Sequence, residues 1–174
     1  LPIYGSQSFS DRLVAGVRRF GGRPALRGLL ALNLVVAAGS ALVIVNSIVY
    51  VRDIVGGPGS AVAAALGIFG GGSMVVALAV PRILTVVDDR RLMLAGGAVV
   101  SLGTVGAAVL AALHPSGVAG WMSLAVVWAV LGAGTSMIST PSARVITRDS
   151  GDGDGAEVFA AQFSLSHACF ILTY

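Results

Sequence analysis

Long uncharged apolar runs alternate with short polar connectors along this chain. Residues 29–51, 60–80, 92–113 and 118–140 each lack Asp, Glu, Lys and Arg, and another such run covers 158–174. At about 1.5 Å per residue, runs of this length reach across a hydrocarbon core of roughly 30 Å. Barrel strands would alternate apolar and polar residues with period two, and these runs do not. Buried helices of soluble proteins are usually shorter and do not recur in such a series. The pattern predicts an all-α membrane protein, a helical bundle with spans at about 29–51, 60–80, 92–113, 118–140 and 158–174.

Turn-forming residues punctuate the runs. Gly56-Gly57-Pro58-Gly59 follows the first, and His114-Pro115-Ser116-Gly117 follows the third. Pro81 closes the second, and Pro141 is expected to stop the fourth, leaving 141–157 as a polar connector. Residues 1–28 read as a polar, basic linker, with an amphipathic helix over Asp11 to Phe20 as one option and a solvated linker as the other. The last run is cut at Tyr174 and the chain starts on Leu1, which reads as an internal piece of a longer chain.

Composition strengthens the membrane reading. The chain is 56% hydrophobic and 11% charged, against about 25% charged in ordinary soluble domains. Its eleven basic residues are all Arg and lie in loops beside apolar runs. They suit anionic lipid head groups and give no reason to expect nucleic acid. Their distribution also orients the chain. With residues 1–28 in the cytoplasm, the loops on that side hold ten Arg and the other side holds only Arg52. The positive-inside bias therefore predicts a multi-pass protein of the cell (inner) membrane, with the connector Pro81 to Arg91 facing the cytoplasm.

Small residues recur every four positions at Ala63, Gly67 and Gly71, at Gly132, Ser136 and Thr140, and at Ala160, Ser164 and Ala168. Such rows allow close helix packing in lipid. Polar side chains within the spans are few. Asn33, Ser40 and Ser47 repeat every seven residues on one face of the first span. Gln162, Ser166, Cys169 and Thr173 form a stripe on the fifth, with His167 beside Phe163, Phe170 and Tyr174 on another face. Stripes of this kind line a water-filled path or bond neighbouring helices. Asn33, Ser40, Ser47, Gln162 and Ser166 are candidate substrate-path residues, and His167 is a candidate for proton handling.

Enzyme and cofactor chemistry find no support. A Walker phosphate loop needs Lys, which is absent. The acidic run Asp149, Asp152, Asp154, Glu157 has Ser150 where a calcium loop needs its first ligand and Ala161 where it needs Glu. His114, His167 and Cys169 have neither zinc nor triad spacing. A lone Cys169 allows no internal disulfide.

Four stretches carry a resemblance to a known family: R-G-L-L-A-L-N at 27–33, V-I-V-N-S at 43–47, D-D-R-R-L-M-L-A-G at 88–96 and T-P-S-A-R at 140–144. Together with the topology they resemble the C-terminal half of a major facilitator superfamily transporter of the bacterial drug-efflux type. The resemblance implies that the spans are five of the six helices of one half, the seventh through the eleventh of the whole. It also implies a gating motif after the second span, roughly G-x-L-x-D-R-x-G-R-R. Arg90 and Arg91 match its basic pair, whereas Pro81 replaces the opening Gly, Thr85 the acid, and Asp88 or Asp89 the later Gly. The implied gating network is Arg82, Asp88, Asp89, Arg90 and Arg91. The implied activity is secondary transport, proton-coupled efflux of a small solute by alternating access around a mid-membrane site, in partnership with an N-terminal half of the same chain. An uptake permease of the same fold, or a non-transporting sensor or anchor module, is the alternative.

Overall fold

The computed structural model describes residues 24–150 and 155–173. The stretch Asp11 to Phe20, offered as a surface helix or a solvated linker, and Asp152 and Asp154 of the acidic run lie outside those residues. Helix α1 spans Pro24–Val49 and continues into one π turn, Tyr50–Ile54. After a 3-10 turn at Gly59–Ala61 come α2 (Val62–Ile83), α3 (Asp89–Leu113), α4 (Gly117–Ser150) and α5 (Gly155–Thr173). No strand occurs among the described residues. Among the described residues, four helices, all but α5, are long and apolar enough to cross a membrane.

The helices run past the expected breaks. Proline lacks an amide proton and lies inside both α2, at Pro81, and α4, at Pro141. Segment 141–150 is therefore helix and not connector, and α5 begins at Gly155, before the expected 158. Around Pro141, hydroxyls take up local partners: Ser142 Oγ donates to the Ser139 carbonyl at 2.6 Å, and the Ser136 and Thr140 hydroxyls lie 3.3 Å apart. In a bundle, neighbouring helices and hydroxyls offset the bond that proline removes. Hydropathy and proline position alone do not reveal that compensation.

The predicted turns form as their residues require. Gly56 adopts φ +76°, and the Gly57 amide reaches back to the Val51 carbonyl at 2.7 Å, which ends α1. His114 caps α3 in the left-handed region, at φ 46° and ψ 51°.

Helix α4 is the axis of the bundle and packs against each of the other four helices. Its inner face buries Leu124, Trp128, Leu131 and Ile138 among Val43, Val51 and Val100. Close approach depends on glycine. A Cβ on Gly132 would collide with the Phe69 carbonyl of α2, and one on Gly96 of α3 would lie 2.9 Å from the Gly134 carbonyl of α4. The expected small-residue rows are only partly used. Gly132 and Ser136 are buried, but a Cβ on Gly67 or Gly71 would meet nothing within 4 Å. Gly72, one residue on, makes the contact with Ala129 instead. In α5, Ala160 and Ala168 also face outward.

The outer surface is apolar. Met74, Val75 and Leu78 of α2, Leu102 and Val105 of α3, and Val126 of α4 are exposed. In water, so broad an apolar surface would drive association, whereas acyl chains match it.

Candidate functional site

Helix α1 supplies few polar side chains, and the bundle separates them into two groups. Towards the α1 C-terminus, Ser47 is fully buried and its hydroxyl donates to the Val43 carbonyl. The same oxygen accepts a hydrogen bond from the Trp128 indole at 2.8 Å. Tyr50, one turn on, donates to the Ala107 carbonyl of α3 at 3.0 Å, and its ring lies 4.8 Å from that of Trp128. This cluster ties α1, α3 and α4 together and has its hydrogen bonds satisfied. Ser40 is buried and lines neither of the two cavities described below.

Asn33 is placed differently. It lies four residues beyond Leu29, about 6 Å along the helix from the first apolar position. There α1 faces α4 and α5 across a cavity of about 570 Å³. Asn33 and Val36 form its α1 wall. Helix α4 contributes Ser139, Ser142, Ala143 and Ile146, a face that exists only because the helix continues through Pro141. Helix α5 contributes Gln162, Phe163, Ser166 and Phe170. The cavity thus lies towards the end of the bundle that carries the connector, not midway along the helices.

Two of the residues lining this cavity each carry an amide atom that is buried without a hydrogen-bond partner: Asn33 Nδ2 and Gln162 Oε1. Gln162 is only 9% exposed, and its Nε2 donates to Ser166 Oγ at 3.2 Å. A buried amide atom left unpaired costs about 1–3 kcal/mol, so two of them on residues around one cavity form an incomplete hydrogen-bonding set. Aromatic rings and aliphatic side chains supply the rest of the wall. Among the described residues, no Asp, Glu, Lys, Arg or His lines it.

His167 stands outside the cavity lining. Its ring lies 4.1 Å from that of Phe163, and its Nδ1 is 2.8 Å from the Phe163 carbonyl one turn back. Cys169 is buried, and Thr173 donates to the Cys169 and Phe170 carbonyls.

The charged connector forms a second concavity, about 530 Å³, with Thr85, Asp88, Asp89, Arg90 and Arg144 among its lining residues. Asp88 caps the start of α3 through its backbone, and its carboxylate lies 3.7 Å from Arg91. Both partners are largely exposed, so the pair is worth little. Asp89, in the first turn of α3, is only 11% exposed in its side chain and lies 3.8 Å from Arg144 of α4. A carboxylate in a first helical turn also gains from the helix dipole. Arg82 is exposed, and its carbonyl accepts the Thr85 hydroxyl at 2.7 Å.

Sequence reasoning brings Asn33, Gln162 and Ser166 forward, and the fold places all three at one cavity. It places Ser40 and Ser47 elsewhere. Ser139, Ser142 and Arg144 escape sequence reasoning because a proline at 141 signals a stop. Extending the 3.6-residue period through the proline puts Ser139, Ser142 and Ile146 on one face.

No family model, curated protein or solved structure matches this chain.

Proposed function

We propose that this chain is part of a secondary active transporter of the major facilitator type that moves a small solute across the cell membrane by alternating access. On this reading its helices are five of the six in one half, and they work against a second six-helix half. The observation that carries the proposal is the cavity between α1, α4 and α5. Two of its three helices, α1 and α4, are of membrane-crossing length, its described lining is uncharged with polar groups among apolar ones, and two of its lining residues carry unpartnered amide atoms.

A second observation supports it. Two of the stretches that carry the family resemblance, 88–96 and 140–144, meet through Asp89 and Arg144. In a rocking mechanism such a contact holds one end of the half-bundle in a single arrangement, and breaking it permits the other. The Arg distribution assigns that end to the cytoplasm. Export and proton coupling follow from the resemblance. The uncharged runs offer no carboxylate for a proton, so the other half would supply it.

The test is transport. In membrane vesicles carrying the complete natural protein, solute movement should respond to a pH gradient, and Asn33→Ala should change it while folded protein stays constant. Loss of folded protein in step with transport would make Asn33 a packing residue. Transport independent of the pH gradient would remove the proton, and movement inward would replace export with uptake.

A further inference from the structure

We infer that the α1–α4–α5 cavity selects an uncharged solute with a hydrogen-bond donor and acceptor beside a flat apolar body, a primary aromatic amide being the simplest example. The first reason is electrostatic. Among the described residues, no charged or titratable side chain lines the cavity. An ammonium or carboxylate entering it would shed water and meet no counter-charge, at a cost far above that of a neutral polar group.

The second reason is the pair of unpartnered atoms. Asn33 Nδ2 is a donor and Gln162 Oε1 an acceptor, carried by residues that line the cavity from α1 and from α5. Gln162 is held by the bond from its Nε2 to Ser166 Oγ, which leaves its carbonyl oxygen as the end without a partner. Turning either amide over exchanges its donor and acceptor ends. The site then still offers neutral hydrogen-bonding groups and never a charge. A ligand amide, with N–H and C=O adjacent, complements such a pair in either arrangement.

The third reason is shape. Phe163 and Phe170 stand on α5 seven residues apart, with Val36 and Ile146 among the apolar groups of the other walls. An aromatic ring gains most from such surfaces. The volume of about 570 Å³ lies inside the range of roughly 300–1,000 Å³ typical of cavities for small organic ligands.

This inference rests on the transport reading for the solute's fate but not for its binding, which is measured separately. Indole-3-acetamide, indole-3-acetate and tryptamine share one ring system and are neutral, anionic and cationic at pH 7. Equilibrium binding of each radiolabelled solute to the full-length protein in lipid nanodiscs should favour the amide by roughly tenfold or more. Gln162→Leu should remove that preference, with Asn33→Leu giving the same loss should the first variant not fold. Gln162→Glu should transfer the preference to tryptamine. Ser101→Ala, an exposed position on α3, should change nothing. Equal binding of the three solutes, no saturable binding of the amide, or an amide preference that survives both leucine variants would overturn the inference. Selective binding without solute movement in vesicles would defeat the transport reading alone. Transport of charged solutes that ignores Gln162→Leu would defeat this one alone.

Discussion

At the scale of single residues, the polar groups of the bundle divide by whether the fold completes their hydrogen bonds. Ser47 and Trp128 form a closed pair, donor to acceptor, at full burial. Removing the hydroxyl with Ser47→Ala leaves the indole N–H unpaired and should destabilise the protein by about 1–2 kcal/mol. Thermal unfolding of the detergent-purified protein would show this as a lower Tm. Combining Ser47→Ala with Trp128→Phe should cost less than the two single losses added, because both remove the same bond. Strict additivity would mean that the bond contributes nothing. Asn33 and Gln162 differ from this pair in keeping an unsatisfied atom each. Natural proteins retain few such atoms in their interiors, so a ligand or water is expected to complete them.

At the scale of the helix, glycine position separates contacts that hold the bundle from faces left to lipid. Gly132 meets the α2 backbone, and a side chain there has nowhere to go because the obstacle is a main-chain carbonyl. Gly132→Val should therefore destabilise by about 1–3 kcal/mol or prevent accumulation of folded protein. Gly71 on the facing helix has open space around it. Gly71→Ala should be neutral or stabilising by up to about 1 kcal/mol, since alanine has the higher helix propensity. Parallel measurement of folded yield and Tm checks both, and equal damage from the two substitutions would refute the assignment of faces. Spacing alone favours the row Ala63, Gly67, Gly71. Four-residue spacing makes a groove possible, but it does not say which way the groove points.

At the scale of the whole molecule, the connector between α2 and α3 and the end of α4 share one side of the bundle through Asp89 and Arg144. The turn between α3 and α4 lies at the opposite end. A cysteine at Ser116 and one at Ser150, each introduced singly into the full-length protein lacking Cys169, should label with a membrane-impermeant thiol reagent from opposite faces. Ser150 should label from the cytoplasm. Labelling of both from the same face would rule out the proposed topology.

The amino-acid sequence by itself determined the class of the protein. Hydropathy summed over about twenty residues decides whether a helix belongs in lipid, and that sum is local. The turn at Gly56 was legible for the same reason, since a left-handed backbone conformation suits glycine. The tertiary structure decided what local patterns cannot express. It carried α4 through Pro141, within a helix that packs against each of the other four. That continuation set Ser139 and Ser142 opposite Asn33 and Gln162. It also brought Arg144 to Asp89, turning part of a charged connector into a contact between helices. Membrane insertion is governed by each segment's own hydropathy, whereas a site is formed by side chains from segments distant in sequence. Only packing determines which of them meet.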